Sequence, residues 1–274
     1  MNLKAAQISA ANAARAAGRL IRANLNLAKR VNLRSSHDIK LELDVRCQAL
    51  IENRLRAPFP EVAVLGEEGV SGAVDAEYRW VIDPIDGTVN FAYGIPHACV
   101  SIALQGRGES RPAKKAGGNG APRDGYVTLV GVVFDPFMNE LWTGIRGQPA
   151  RLNGRLIRVS RRNKLSEAIV SIGFAKSRDN LMKTLPYFNE LAPRIRKIRM
   201  MGAAALALAY VASGRFDVYI ERGISLWDIA AGGLILECAG GEFFHEPVPG
   251  EHKYRMAATN GRLRRQLRLG ELFA

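Results

Sequence analysis

Nine residues, Trp80-Val81-Ile82-Asp83-Pro84-Ile85-Asp86-Gly87-Thr88, constrain this chain more than any other stretch. An apolar strand runs into two carboxylates three positions apart, and the chain then breaks at a glycine. Taken alone, Asp-Pro and Asp-Gly are common turn punctuation. Taken as a site, Asp83 and Asp86 aim hard oxygen ligands at shared cations. Pro84 stiffens the bend, and Gly87 lets backbone amides approach an anion.

Two further acidic segments bear on that choice. Upstream, Val62-Ala63-Val64-Leu65 reads as a short buried strand and runs into Gly66-Glu67-Glu68-Gly69, which puts a carboxylate at a strand's C-terminal edge. Downstream, Ile224-Ser225-Leu226-Trp227-Asp228 leads into a nearly all-apolar helix from Ile229 to Cys238 that stops at Gly240-Gly241. Asp228 therefore stands at a helix N-terminus. An ordinary N-cap accounts for Asp228 and a solvated turn for Glu67-Glu68, but neither accounts for all three segments together.

On these residues the chain resembles the inositol monophosphatase family of magnesium-dependent, lithium-sensitive phosphatases. The matching motifs are Gly66-Glu67-Glu68, Trp80 to Thr88 with Asn90-Phe91, Gly202-Ala203-Ala204-Ala205, and the run from Asp217 to Gly232. Two long motifs in the family's order are a far more specific signal than a lone glycine pattern. The resemblance implies an α/β (α+β) fold, an alternating α/β/α/β/α layered sandwich of the sugar-phosphatase type. Its two halves, divided near residue 150 (1–150 and 151–274), would enclose the active site.

Composition agrees with an enzyme of this kind. A chain of 274 residues, 47% of them hydrophobic, can bury a large core. No run approaches the roughly 18 apolar residues of a membrane span, and the N-terminus lacks a signal-peptide core, so the expected location is the cytoplasm, without membrane contact. Cys47, Cys99 and Cys238 are far apart and lack ligand spacing, which indicates neither disulfides nor zinc. The four histidines, His37, His97, His245 and His252, also lack ligand spacing and are assigned no catalytic role. The net charge of +13 would steer anionic substrates, nucleic acid or an acidic partner alike. Positive residues cluster at Arg15 to Arg34, Arg107 to Arg123, Arg194 to Arg199 and Arg262 to Arg268.

Periodicity predicts a long helix over 3–27 and a second one capped by Asp44, with Cys47, Leu50, Ile51 and Leu55 on one face. Strands are expected at 62–65, 80–82, 97–104 and 126–134, with 140–144 pairing back across the Asp135-Pro136 turn. After Asn153-Gly154 the pattern becomes strand 168–174, helix 179–191, strand 195–200, helix 203–212 and strand 217–221. Between two strands, Gly106 to Gly125 is rich in glycine, proline and basic residues and reads as an exposed loop. The family link there is a tight hairpin, so the extra length is a departure. It is either a solvated insertion or a contact with nucleic acid or another partner.

The resemblance also implies roles. Glu67, Asp83 and the Ile85 carbonyl would hold one Mg2+, while Asp83, Asp86 and Asp228 hold a second, with a third, weaker ion near Glu67. Metal ions neutralise a phosphate monoester and lower the pKa of an attacking water. The amides of Gly87 and Thr88 would bind phosphate oxygens. Thr88 and Asp44 would relay the water's proton, with Glu67 also in the catalytic set. Glu221 and Ala204 would face the polyol. The segment before Asp44 lacks the family's usual Val-Thr pair and basic residue, for which Lys40 or Arg34 are the candidate substitutes. The implied substrate is a sugar or polyol phosphate, foremost an inositol monophosphate, and the implied assembly a homodimer. Fructose bisphosphate, histidinol phosphate and nucleotide 3'-phosphates are alternative substrates, and an accessory role on RNA or the transcription machinery is an alternative function.

Overall fold

Alanines set the first layer. In the computed structural model, α1 (Leu3–Asn24) buries Ala6, Ala10, Ala13, Ala14 and Ala17 along one side, the three-to-four spacing of a helix face. Such small side chains let the helix lie close to a sheet. At Gly18 an added Cβ would sit 2.5 Å from the Phe134 ring. The structure describes residues 1–27, 31–34, 39–108, 125–174 and 178–268, with the backbone alone at 31–34 and 39–40. His37, the loop at 109–124 and the side chains of Arg34 and Lys40 thus lie outside the description.

The antiparallel pair β1 (Val31–Arg34) and β2 (Ile39–Leu41) leads into α2 (Glu42–Arg56). There follow β3 (Ala63–Gly66), β4 (Gly69–Ser71), β5 (Tyr78–Asp86), the short α3 (Thr88–Ala92), β6 (Cys99–Arg107), β7 (Tyr126–Asp135), β8 (Glu140–Ile145), β9 (Arg151–Leu152) and β10 (Arg155–Leu156). Next come β11 (Ile169–Ile172), α4 (Arg178–Leu191), β12 (Lys197–Arg199), α5 (Ala204–Ala212), β13 (Val218–Ser225), α6 (Leu226–Cys238), β14 (Glu242–Pro247) and β15 (Lys253–Thr259).

Two sheets carry the architecture. One has eight strands in the order β10-β9-β8-β7-β6-β5-β3-β4, the other five in the order β12-β11-β13-β15-β14. Helices α1 and α2 cover one face of the larger sheet. Helices α5 and α6 fill the space between the sheets, touching strands of both, and α4 lies against β13 of the smaller sheet. The expected α/β/α/β/α layering is therefore the observed one. Three apolar clusters match it: α1 and α2 on the large sheet, α5 and α6 between the sheets, and α4 on the small sheet. The middle layer packs closely; a Cβ at Gly131 of β7 would come within 2.6 Å of the Ala231 carbonyl of α6.

Several boundaries differ from the periodicity. Strand β9 still pairs with β8 and β10 with β9, so the first sheet runs past residue 150 and the change of sheet falls between Leu156 and Ile169. Strand β5 continues to Asp86 instead of ending at Ile82, because pairing with β6 resumes after a register shift between Asp83 and Asp86. Helix α2 starts at Glu42, placing Asp44 in its first turn rather than at the cap. From there Asp44 Oδ2 accepts the Leu41 N–H at 2.7 Å. Strands β6 and β7 pair out to Arg107 opposite Tyr126, so the long basic connection joins two directly paired strands.

Candidate active site

The end of β5 is where acidic residues from distant segments meet. Asp83 and Asp86 are 1% and 6% exposed, and both lie beyond the apolar run Trp80-Val81-Ile82 that seats the strand in the middle of the large sheet. The Ile85 N–H donates to Asp83 Oδ1 at 3.0 Å, closing a local turn across Pro84. Gly87 then adopts φ +93, a left-handed conformation that costs glycine little. A Cβ there would lie 2.8 Å from the His97 carbonyl, so space and backbone both demand glycine.

Helix α6 brings the third carboxylate. Asp228 sits in its first turn and accepts the Ser225 N–H at 2.9 Å, while the Ser101 hydroxyl of β6 donates to the Trp227 carbonyl at 3.1 Å. These bonds fix the helix start against the large sheet. One carboxylate oxygen from each of Asp83, Asp86 and Asp228 lies within 4.8 Å of the other two, the one such group among the described residues. Glu67, at the end of β3 with its N–H on the Ile82 carbonyl at 3.1 Å, is half-buried beside them.

The electrostatics are those of like charges crowded out of water. Burial, then Glu67, Asp86 and Asp228, raise the Asp83 carboxyl well above its ordinary range. Burial and then Asp228 push Asp86 up to about 7, against the pull of the Ala204 and Ala205 amides. Such a cluster is stable as carboxylates when a hard cation supplies the opposing charge. Three convergent carboxylate oxygens, two of them from buried residues and the third from half-buried Asp228, are the kind of ligand set that a magnesium ion accepts, so the residues present fit the implied metal.

Asp86 has a second task that the sequence pattern does not announce. Its Oδ1 accepts the Ala204 N–H at 3.0 Å and its Oδ2 the Ala205 N–H at 2.7 Å. The residue at the N-cap of α5 is Ala203, which has no side-chain acceptor. A carboxylate from the first half of the chain thus caps a helix of the second. The Cys99 thiol, opposite Asp86 in the β5–β6 register, also points at Oδ2 at 3.5 Å. Sequence spacing indicated no ligand role for Cys99, and only strand pairing puts it beside the site.

The other expected site residues are distributed as follows. The Thr88 hydroxyl donates to the Ile85 carbonyl at 2.8 Å. Asp44 is buried, with Oδ2 on the Leu41 amide. Ala204 opens α5 directly over Asp86. Glu221 stands on β13, where it accepts a short hydrogen bond from the Tyr219 hydroxyl. A Cβ at Gly173 would lie 1.8 Å from Glu221 Oε2, so a bare glycine makes room for that carboxylate. Asn90 ties the turn after β5 to the loop before α5, donating to the carbonyls of His97 at 3.0 Å and Met201 at 2.8 Å. Outside the site, His245 stacks on Phe243 with ring centroids 5.0 Å apart, a packing role.

The model of the inositol monophosphatase family matches residues 3–111 and 124–262. The chain belongs to the inositol monophosphatase family. The family match skips 112–123, within the long basic connection between β6 and β7. Inositol monophosphatase 1 of Solanum lycopersicum is 37% identical over 93% of this chain and 90% of its own length. The Nus factor SuhB of Pseudomonas aeruginosa is 40% identical over 85% of this chain and 82% of its own. Among solved structures, the extragenic suppressor protein suhB of Bartonella henselae superposes with a TM-score of 0.84 at 31% identity, covering 98% of both chains. The inositol monophosphatase of Anabaena does so with a TM-score of 0.78 at 35% identity, covering 97% of this chain and 95% of that one. No helix among the described residues is long and apolar enough to cross a membrane.

Proposed function

We propose that this protein hydrolyses the phosphomonoester of an inositol monophosphate, with myo-inositol 1-phosphate as the first substrate to test, by attack of water at phosphorus. What carries the reading is the convergence of Asp83, Asp86 and Asp228 from a strand end and a helix start to within 4.8 Å. These residues, with Glu67 and the Ile85 carbonyl, would hold two to three magnesium ions. When bound, magnesium neutralises the phosphate and acidifies a water.

The remaining work falls to the chain. The amides of Gly87 and Thr88 open a helical turn whose first N–H groups lack intrahelical acceptors, and they face phosphate oxygens. Thr88 Oγ1 accepts a hydrogen bond from the attacking water and Asp44 takes up its proton, which requires the Thr88 hydroxyl to turn from the Ile85 carbonyl to Asp44. Ala204 leaves room for a ring beside Asp86. Glu221, oriented by Tyr219, accepts from a polyol hydroxyl. Burial and then Glu221 raise the Tyr219 hydroxyl well above its ordinary pKa, so Tyr219 stays a donor. In this reading the enzyme is a cytoplasmic homodimer inhibited by lithium.

The test is phosphate release from myo-inositol 1-phosphate with magnesium and with chelator, Asp83→Asn serving as control. Magnesium-dependent turnover lost in the variant supports both reaction and site. Silence from folded, magnesium-loaded protein refutes the substrate, and turnover in the variant refutes the site.

A further inference from the structure

A row of unpaired cations runs along the strap that joins the two sheets. Between Glu140 and Glu167 the chain has no acidic residue and seven basic ones: Arg146, Arg151, Arg155, Arg158, Arg161, Arg162 and Lys164. Residues 157–164 form neither helix nor strand, and Arg155, Arg158, Arg161 and Lys164 are all exposed. They recur every third residue. None of the four takes part in an ion pair or side-chain hydrogen bond with a described residue.

The strap is held in shape by what lies beneath it. Ile157 and Val159 pack on the core between the sheets, and their N–H groups donate to the carbonyls of Ala150 at 3.1 Å and Ala239 at 3.2 Å. Arg162 turns inward to Asp217 at 2.8 Å, where the Ser160 hydroxyl also bonds. Asn260 grips the Arg162 carbonyl at 2.9 Å. At the far end Gln266 donates to the Asn163 carbonyl at 2.7 Å, which brings the exposed Arg262 and Arg265 segment alongside. Charges displayed on a braced backbone lose little conformational freedom when they engage a ligand.

We propose that this strap is a docking surface for the phosphate backbone of single-stranded nucleic acid. A run of exposed cations, one at every third residue and without interspersed acids, suits a polyanion, and the predominance of arginine favours phosphate, whose oxygens pair with the guanidinium fork. Among the exposed residues of 155–164, Leu156 is the one large apolar side chain and there is no aromatic. Binding is therefore through phosphates, without base stacking, and is indifferent to sequence. The inference does not rest on the phosphatase reading, because none of the strap residues belongs to the acidic site.

The experiment is fluorescence anisotropy of a labelled 20-nucleotide single strand against the full chain, titrated with KCl. The strap variant R155Q/R158Q/R161Q/K164Q is compared with K4Q/R19Q/R22Q/R54Q, which removes the same charge from exposed positions of α1 and α2. The strap variant is expected to weaken binding at least about tenfold and to flatten the slope of log K against log salt by about 3, as four phosphate contacts on a single strand predict. The control is expected to change it less than about threefold. Equal losses in both variants would reduce the effect to net charge and overturn the proposal, as would binding unchanged in the strap variant. Displacement by poly-glutamate as effective as by inorganic polyphosphate would reassign the surface to acidic proteins and likewise overturn it.

Discussion

Asp217 and Asp83 are buried to the same degree, 0% and 1% exposed, yet their surroundings are opposite. Asp217 has Arg162 at 2.8 Å, the Ser160 hydroxyl and the Ile169 N–H at 2.8 Å, so both oxygens are engaged and the charge is paired. Asp83 has one amide and three further carboxylates around it. The first arrangement ties the strap 157–164 to β11 and β13. The second crowds like charges whose repulsion a bound cation would relieve. Burial of a carboxylate therefore says little by itself; the sign of the charges around it separates a structural acid from one held for binding.

That contrast can be broken most sharply at Asp83. Asp83→Asn is expected to lower kcat/KM for an inositol monophosphate by at least about a thousandfold. In chelator its thermal midpoint should match or exceed that of the parent, because a source of repulsion is gone. A melt well below the parent would make Asp83 a structural acid like Asp217. Asp217→Ala should do the reverse, costing about 3 kcal/mol in denaturant unfolding through loss of a buried paired charge. Turnover per folded molecule should stay within about twofold.

A subtler test lies at Asp86, which belongs to both kinds. Asp86→Ala should speed amide hydrogen exchange at Ala204 and Ala205 by about fivefold, since a lost helix cap is worth about 1 kcal/mol. Adding Ala203→Ser, which offers α5 a cap of its own, should restore protection without restoring magnesium binding measured by calorimetry. Unchanged exchange in the single variant would leave Asp86 as a metal ligand alone.

The smallest effect is in pH. With its carboxyl raised to about 7 in the fold and near its ordinary value when unfolded, Asp86 binds more protons in the native state between about pH 4 and 7. Stability of the chelated protein should therefore fall as pH rises through that window, and Asp83, shifted the same way, adds to the slope. Saturating magnesium should flatten it, and so in part should Asp86→Asn. A chelated midpoint that climbs over the same range would contradict the crowding.

Much of the fold was legible because helices and strands have different periods. The alternation of helical and strand patterns identifies most helices and strands without coordinates, and the family resemblance supplies their layering. The candidate site was legible in part, since Asp83, Asp86, Asp228 and Glu67 each stand where a strand ends or a helix begins. Strand register carried less local signal. It extended β5 through Asp86, placed Cys99 against that carboxylate and kept β9 and β10 on the first sheet. The basic row at 155–164 escaped the charge clusters read from the chain, since exposed cations and the half-buried Ile157, Val159 and Arg162 alternate within it.

By itself, the sequence determined the order of elements and which carboxylates were available, because side-chain period and turn chemistry act over a few residues, while the layering followed from the resemblance its motifs carry. Tertiary structure alone decided which carboxylates face one another and which face a cation or an amide. It put Asp86 on the amides of Ala204 and Ala205, more than a hundred residues away, and Asp217 on Arg162. Those pairings depend on how two sheets close around α5 and α6, a packing outcome that no local pattern encodes.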